Sequence, residues 1–228
     1  MCIRDSYNCA DRLGISKMNE YASMFGLGEK TGVEISEAAG VLAGPASAEK
    51  YNRTWQMGDT IQSGIGQSDN LFTPLQLSNY CATVANGGTR YELHFVKSII
   101  NTSTGSINET GATVAEDLPI SDNTFRIVRE GMRMVATDGA PRHVFGKIST
   151  QVACKTGTSQ VYKRGQKVNN GFLITFAPYE KPEISIASVI ELAGSGTSTA
   201  DITASIIDYY YSNNTDEAPA QDTGTLLN

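Results

Sequence analysis

The amino-acid sequence predicts an α+β fold in which a β-sheet is covered by helices. Three strand-like segments, at about 151–157, 171–177 and 184–191, follow one another along the chain. Helical patterns precede them, and one more helical pattern, at about 199–211, comes after them. Strands that are consecutive, instead of alternating with helices, are typical of a sheet with helices packed against it.

The composition is that of a globular protein with a hydrophobic core. The chain has 228 residues, of which 40% are hydrophobic and 18% charged, and its formal net charge is -6. This balance is not that of a disordered chain, and without a run of Lys or Arg no nucleic-acid partner is expected. No stretch has the ~18 consecutive apolar residues of a membrane-spanning helix, and residues 1–6 do not resemble a secretory leader. The sequence therefore predicts either a cytosolic protein or one whose native N-terminus is missing.

Capping signals and apolar spacing predict four helices. Residues 16–25 carry apolar side chains at helical spacing. The clearest helix start is Thr73-Pro74-Leu75-Gln76, which combines an N-cap threonine, a proline at the first helical position and a capping-box glutamine. Two further helices are predicted at 122–137 and 199–211, and the apolar residues in register along the last one are Ile202, Ile206 and Tyr210.

The other segments are predicted to be short strands, loops and a tail. Residues 29–70 are rich in Gly, Ser and polar side chains and show little periodicity, so short strands and surface loops are expected there. Residues 93–100 have a strand pattern, and polar turns follow to about residue 118. Residues 213–228 are polar and acidic, and we expect this tail to be disordered.

The strongest chemical signal is Lys155-Thr156-Gly157-Thr158 at the end of a predicted strand. An ammonium group and two hydroxyls on an exposed strand end would form a cationic, donor-rich surface on which a substrate carboxylate can dock. Gly157 would let a substrate backbone approach closely, and a nearby backbone N–H could point at a developing oxyanion. The alternative for so short a motif is an ordinary edge strand that ends in a lysine.

Several segments together resemble one family. Lys155-Thr156-Gly157-Thr158 resembles the third signature of penicillin-binding proteins and serine β-lactamases. Four other segments resemble the class B penicillin-binding proteins of cell elongation: Phe25 to Gly32, Gly64-Ile65-Gly66-Gln67, Thr73 to Leu77 and Ala85-Asn86-Gly87-Gly88. Together with the lysine motif, they extend the resemblance from about Tyr7 to Tyr211.

The resemblance implies a penicillin-binding or β-lactamase-like transpeptidase fold with an antiparallel sheet. It implies a peptidoglycan D,D-transpeptidase that is acylated on serine by the D-Ala-D-Ala stem peptide, or by a β-lactam antibiotic, and that passes the acyl group to an amine. It implies no metal and no cofactor. It also implies a catalytic domain outside the cytoplasmic membrane with a membrane anchor upstream, and a membrane glycosyltransferase of the elongation machinery as a partner.

The resemblance also assigns roles to the motif residues. Lys155 would attract anions and poise the serine of the family's second signature. The hydroxyls of Thr156 and Thr158 would bind the substrate carboxylate, and the Thr158 N–H would contribute to the oxyanion hole. Gly157 would keep the surface open.

The family's first two signatures, Ser-x-x-Lys and Ser-x-Asn, precede the segment that resembles residues 7–32. We therefore expect a C-terminal fragment that lacks the nucleophile and is inactive alone. Residues 7–212 would be the C-terminal part of a transpeptidase domain. Residues 1–6 would be a non-native leader, since Arg4 and Asp5 stand where the family has an apolar helix turn.

Three segments nevertheless spell these signatures. Ser47-Ala48-Glu49-Lys50 spells Ser-x-x-Lys, but residues 43–54 lack the apolar stripe of a buried helix, which favours a solvated loop or a short surface helix. Ser68-Asp69-Asn70 spells the β-lactamase form of the second signature, but its position just before the Thr73 cap favours a turn. Ser6-Tyr7-Asn8 spells Ser-x-Asn about six residues later than the family pattern.

Two other functions stay open on sequence grounds. One is a β-lactamase-like serine hydrolase that uses Ser47, Ser68 and Lys155, although the spacing of 21 residues between the two serines is short for the helical subdomain usual there. The other is a non-catalytic module that binds muropeptides or β-lactams. The four cysteines and two histidines show no metal-site spacing, so no metal is expected.

Overall fold

The computed structural model describes residues 3–214, apart from the side chains of Lys163 and Asn214. The helices of this part of the chain are α1 (Ile3–Met24), α2 (Pro45–Lys50), α3 (Met57–Ser63), α4 (Pro74–Ala85), α5 (Asp122–Asp138), α6 (Arg142–Phe145) and α7 (Ala200–Asn214), with a 3₁₀ turn at Gly196–Thr199. Its strands are β1 (Thr89–Tyr91), β2 (Ser98–Ile100), β3 (Ile107–Glu109), β4 (Val114–Asp117), β5 (Ala153–Lys163), β6 (Gln166–Ala177) and β7 (Ile184–Ile190).

The central sheet is antiparallel, with the strand order β5-β6-β7. The β5–β6 hairpin pairs without interruption from Ala153↔Phe176 to Lys163↔Gln166. Arg164 and Gly165 connect the two strands with φ angles of 52° and 77°, and positive φ at both central residues is the requirement of a tight hairpin turn. The predicted α+β fold, with an antiparallel sheet covered by helices, is confirmed.

Helices cover both faces of this sheet. Alternate residues of a strand point to opposite faces, so β5 contributes Cys154 to one core cluster and Ala153 to another. The first cluster lies under α7 and includes Leu173 and Ile207. The second lies under α4 and α5, and its other members are Cys81, Val84, Ala85, Met132 and Phe176. The predicted helices of residues 73–85 and 122–137 therefore supply one side of the core.

The N-terminal helix is longer than predicted. α1 begins at Ile3 and is interrupted at Gly14, whose φ of 75° and ψ of 159° are not helical. The segment after Gly14 matches the helix predicted at 16–25. Residues 3–6 belong to the segment before it, and the proposal that residues 1–6 are a non-native leader stays a prediction.

Between residues 29 and 70 the structure has two short helices in addition to loops. α2 is the short helix that was one of two alternatives for residues 43–54, whereas α3 lies where short strands and loops were expected. One isolated bridge, Val41↔Leu71, is the strand-like element of this region. The buried positions of the two helices are Ser47, Ala48 and Thr60. Helices that bury small and polar side chains leave no apolar periodicity for a sequence pattern to detect.

The segment between α4 and α5 also differs from the prediction. Of the strand expected at 93–100, only Ser98–Ile100 is a strand, and it pairs with β3. β1 and β4 form a second two-stranded antiparallel pair. Two strands, β3 and β4, therefore lie within the region predicted as turns. Strands of three or four residues with largely exposed side chains are too short to show a period-2 pattern.

The last helix turns a different face to the core than predicted. Ile202 and Ile206 are 52% and 47% exposed, whereas Thr203 and Ile207 are fully buried. α7 also continues to Asn214, so the first two residues of the segment predicted as a tail belong to this helix. The rest of that tail, residues 215–228, lies outside the described residues.

Candidate active site

The Lys155–Thr158 segment lies on β5, which is an edge strand of the central sheet. Its four residues pair in order with residues 174, 173, 172 and 171 of β6. The opposite edge of β5 pairs with no strand among the described residues. Backbone groups on that edge are therefore open to other partners, as they are in proteins that bind extended peptides.

Two hydrogen bonds show which backbone groups face the open edge. The side chain of Gln67, which reaches β5 from the loop after α3, donates from Nε2 to the Thr158 carbonyl (3.0 Å) and accepts at Oε1 from the Gln160 N–H (3.5 Å). Since successive residues of an antiparallel strand direct their backbone groups alternately inward and outward, Thr156 also faces the open edge. The edge thus presents the N–H groups of Thr156 and Thr158, together with the Thr156 C=O, which also accepts a hydrogen bond from the Lys155 side chain.

Lys155 is half-buried and lies on the face of the sheet that α4 and α5 cover, since it is two residues from Ala153. Its ammonium donates a hydrogen bond to the Thr156 carbonyl. Burial lowers the pKa of this ammonium below its ordinary value of 10.5, against a smaller opposite effect of the Cys154 thiol. Within residues 3–214, no salt bridge includes Lys155. A cation that is partly desolvated and lacks a counter-ion is suited to an anionic ligand.

Two buried thiols adjoin this site, and neither is activated. Burial raises the pKa of Cys154 to about 12 and that of Cys81 to about 12. A nucleophilic cysteine requires a thiolate, which these groups do not form near neutral pH.

A close-packed loop fixes the other face of the motif. A Cβ on Gly196 would lie 2.2 Å from the Gly157 carbonyl oxygen and 2.6 Å from that of Phe172, so only glycine fits against the sheet there. The Gly196 N–H donates to the Thr158 hydroxyl oxygen (3.2 Å). Thr156 and Thr158 therefore share the face toward this loop, opposite Lys155. All four motif residues lie on the same edge strand, but the side chains of Lys155 and of the two threonines are on opposite faces of it. Carboxylate binding by the two hydroxyls stays a prediction.

The structure places Ser47 away from an activating lysine. Ser47 is 6% exposed, whereas Lys50 of the same short helix is exposed. The Ser47 hydroxyl lies 2.7 Å from Asp69 Oδ2 and 2.8 Å from the Gly44 carbonyl oxygen, which share its single proton, and it accepts from the Gly44 N–H (3.0 Å). These contacts are those of a residue that stabilises a turn and a helix start. They do not present a hydroxyl to a substrate.

Ser68 and Asn70 lie in the turn between α3 and α4. Ser68 has a φ of 64°, which an L-residue adopts mainly in turns. The Asn70 side chain accepts from the Ala43 N–H (3.0 Å) and donates to the carbonyls of Ser63 (3.4 Å) and Gln67 (3.2 Å). This segment therefore shapes the loop that carries Gln67.

Ser6 and Asn8 lie on the first segment of α1. Ser6 is half-buried and Asn8 is exposed. None of the side-chain hydrogen bonds found in the described chain joins either residue to Lys155–Thr158. A relay role for this pair stays a prediction.

Sequence reasoning did not identify Gln67 as a residue of the site. The segment Gly64-Ile65-Gly66-Gln67 did contribute to the family resemblance. Nothing in the sequence, however, shows that Gln67 contacts Thr158, which lies 91 residues further along the chain. Over residues 3–214, no cluster of three or more His, Cys, Asp or Glu side chains could hold a metal ion. None of the helices in this range combines the length and apolar character that crossing a bilayer requires.

Known proteins of similar sequence belong to one family. The model of the penicillin-binding protein transpeptidase domain aligns with residues 6–208. The peptidoglycan D,D-transpeptidase MrdA of Acinetobacter baumannii is 31% identical in an alignment that covers 90% of this chain and 32% of that protein. MrdA of Haemophilus influenzae is also 31% identical, over 90% of this chain and 34% of that protein. The chain thus spans about a third of the length of these relatives.

Solved structures have the same fold. The penicillin-binding protein 2 of Pseudomonas aeruginosa, in complex with WCK 5153, has a TM-score of 0.79 and 25% identity over 98% of this chain and 50% of that one. The complex of penicillin-binding protein 2 and MreC from Helicobacter pylori gives a TM-score of 0.78 and 25% identity over 92% of this chain and 38% of that one. The resemblance inferred from the motifs is confirmed, and the chain belongs to the penicillin-binding protein transpeptidase domain family, in the class B branch that includes MrdA.

Proposed function

We propose that this chain supplies the peptide-binding strand of a peptidoglycan D,D-transpeptidase. The observation that carries the proposal is the open edge of β5, where the half-buried Lys155 ammonium, without a counter-ion among the described residues, lies beside backbone groups that no strand occupies. The curated relatives named for this activity support it.

The edge of β5 is suited to an extended peptide that ends in a carboxylate. The carboxylate would lie near Lys155, where the charge attracts it. The peptide would pair with the N–H and C=O of Thr156, as an added strand does. The Thr158 N–H, which faces the same edge, would then donate to the oxygen that becomes negative in the transition state.

The proposed reaction is a serine-dependent acyl transfer. A serine Oγ attacks the carbonyl carbon between the last two D-Ala residues, the peptide C–N bond breaks, and the terminal D-Ala leaves with the proton. An amine of a second peptide then attacks the ester, which forms a new amide and regenerates the hydroxyl. Ser47 is not suited to this role because its hydroxyl is buried and bonded to Asp69. In the whole protein, the nucleophile would therefore come from a different Ser-x-x-Lys.

The proposed setting is that of the relatives. The whole protein would act outside the cytoplasmic membrane on peptidoglycan stem peptides, be acylated by β-lactams, and work with the elongation machinery. The Helicobacter pylori protein was solved with MreC, and another similar structure comes from a peptidoglycan synthase complex that polymerises and cross-links. A membrane glycosyltransferase partner is proposed on that basis.

Two measurements on the purified chain test the proposal. The first is the binding of N-acetyl-D-Ala-D-Ala, followed by NMR chemical shifts of the β5 amides. Lys155→Met should weaken this binding about tenfold, the loss expected for one charge-assisted hydrogen bond. Lys167→Met, which removes an exposed lysine from the adjacent strand β6, should not weaken it. Equal affinity for the C-terminal amide of the peptide, or no shifts on β5, would refute peptide binding through the carboxylate.

The second measurement is the intact mass of the chain after incubation with a reactive penicillin. We expect no added mass, because Ser47 is engaged and Cys81 and Cys154 are protonated. A covalent adduct that disappears in Ser47→Ala would instead show that α2 opens and that Ser47 is the nucleophile.

A further inference from the structure

We propose that the side chain of Gln67 makes an autoinhibitory contact, which closes the open edge of β5 in the free chain and must break before a terminal dipeptide can bind. The inference rests on the proposed function, because it assumes that the peptide pairs with this edge. It adds to that function a conformational step in substrate binding, located in the loop after α3.

Antiparallel pairing determines what a bound peptide needs from Thr158. In a hydrogen-bonded pair of such a ladder, two directly opposite residues exchange both of their N–H···O=C bonds. The peptide residue whose carbonyl accepts from the Thr158 N–H therefore donates its own N–H to the Thr158 carbonyl. In N-acetyl-D-Ala-D-Ala this residue is the first D-Ala, whose carbonyl carbon is the one that the proposed serine attacks. The dipeptide thus needs both backbone groups of Thr158.

The Gln67 side chain already occupies one of these two groups. Its Nε2 donates to the Thr158 carbonyl (3.0 Å), and its Oε1 accepts from the Gln160 N–H (3.5 Å). A paired peptide would bring its own donor nitrogen to about 2.9 Å from the same carbonyl oxygen. Because the side-chain amide joins groups two residues apart, it lies along the edge where the peptide backbone would lie. The side chain and the peptide cannot occupy this place at the same time.

Only the side chain has to move, because the backbone of Gln67 is held on both sides. The Gln67 N–H donates to the Gln62 carbonyl (3.1 Å), and the Gln67 carbonyl accepts from the Asn70 side chain (3.2 Å). Gln67 is half-buried, so its amide can turn toward solvent, where water replaces the lost partners. Opening then costs about one net hydrogen bond, which weakens the apparent affinity for the dipeptide about three- to tenfold.

The first test compares the affinity of the full 228-residue chain for N-acetyl-D-Ala-D-Ala with that of Gln67→Ala. The variant should bind about three- to tenfold more tightly, because its Thr158 carbonyl is free before the peptide arrives. The matched control is Gln62→Ala, which removes an exposed side chain from α3 but keeps the backbone carbonyl that holds Gln67, so its affinity should equal that of the unaltered chain. Equal or weaker binding by Gln67→Ala, or the same gain in Gln62→Ala, would overturn the inference and leave the proposed function intact.

A second readout follows the side chain itself and would not respond if Gln67 only stabilised its loop. The NMR signals of the Gln67 side-chain amide, assigned by their absence from Gln67→Ala, should shift when the dipeptide saturates the unaltered chain. The Gln160 amide should then exchange faster with solvent, because it loses its acceptor and the dipeptide is too short to supply another. If the saturated chain kept both its side-chain signals and its exchange rate, the peptide would bind without displacing Gln67, and the inference would be wrong.

If the dipeptide binds to none of these proteins, the proposed function fails by itself, and the contact is tested without peptide. The Gln160 amide should exchange more slowly in the unaltered chain and in Gln62→Ala than in Gln67→Ala, because only the last lacks the Oε1 acceptor. Equal exchange rates in all three proteins would show that Gln67 does not close the edge in solution, and would overturn the inference as well.

Discussion

Lys155 is the residue in which burial and charge combine to serve the proposed site. Burial lowers the pKa of its ammonium below the ordinary value of 10.5. The protonated form attracts a carboxylate, so peptide affinity should fall as the pH rises through that lowered pKa, with a midpoint below 10.5 in the free protein. In Lys155→Arg the fall should be absent, because a guanidinium stays protonated in this range. Titrations of N-acetyl-D-Ala-D-Ala at several pH values measure both, and an unchanged pH profile in the arginine variant would contradict the assignment.

Asp69 shows how one carboxylate fixes the loop beside the site. Partial burial favours a raised pKa for Asp69, but hydrogen bonds from Arg53 and Ser47 outweigh it and hold the pKa below the ordinary value of 3.8. The folded state therefore gains stability from the ionised carboxylate above that ordinary value, and loses it as the pH falls through the lowered pKa. Asp69→Asn should lower the free energy of unfolding by about 1–2 kcal/mol at pH 7, as measured by urea denaturation.

The control for Asp69 is an exposed ion pair on α5. Arg126 and Glu130 form it with side chains that are 63% and 58% exposed. Glu130→Gln should change the free energy of unfolding by less than about 1 kcal/mol, because exposed pairs contribute little. If the two variants had equal effects, Asp69 would be no more than a surface charge.

At the scale of elements, the sequence predicted those helices whose ends are stabilised by contacts between residues close together in the chain. The start of α4 could be predicted because the two residues that cap it lie within one turn of each other. Thr73 accepts from the Gln76 N–H (3.2 Å), and the Gln76 side chain accepts from the Thr73 N–H (2.9 Å). For α2 the sequence left a solvated loop and a short surface helix as alternatives, because the contact that fixes this helix joins Ser47 to Asp69, 22 residues away. Gln67 was missed as a site residue for the same reason, since its partner lies 91 residues along the chain.

The buried face of α7 was not predictable from apolar residues because threonines are buried there. Thr203 donates to the Thr199 carbonyl (3.0 Å) and shares a hydrogen bond with Ser188 of β7 (2.7 Å). A buried hydroxyl that is satisfied in this way costs little, so Thr203 can face the sheet while Ile202 and Ile206 face outward. In a sequence pattern a threonine counts as polar and is assigned to the exposed face. Its hydrogen-bond partners become known only when the helix is packed against the sheet.

Two glycine substitutions test how closely the 193–196 loop packs on β5. In Gly196→Ala the new methyl group would meet backbone atoms at 2.2 to 2.9 Å, so the loop or the strand must move. We expect a loss of about 1–3 kcal/mol in the free energy of unfolding, together with NMR shifts at Gly157 and Thr158. Gly131→Ala on α5 meets no atom within 4 Å and should instead stabilise the protein by up to about 1 kcal/mol. A neutral Gly196→Ala would show that the loop does not fix the motif.

At the scale of the whole molecule, two groups of exposed apolar side chains stand out among the larger number found in the described part of the chain. One is the β2–β3 hairpin, with Ile99, Ile100 and Ile107 each about 60% exposed. The other is the outer face of α7, where Ile202, Ile206 and Tyr209 line an open groove of about 420 Å³. Contiguous apolar surface of this kind binds hydrophobic dyes and promotes association in a folded protein.

Two causes of dye binding, exposed apolar surface on α7 and incomplete folding of the core, can be distinguished by experiment. The chain should bind a hydrophobic dye while it is folded, and the double variant Ile202→Ser/Ile206→Ser should bind about half as much or less. Because both isoleucines are exposed, the free energy of unfolding should change by less than about 1 kcal/mol. Dye fluorescence and a thermal unfolding curve on the same samples check both parts. Dye binding that is unchanged in the double variant, with a broad and non-cooperative transition, would mean that the core is loosely packed and that the dye enters there.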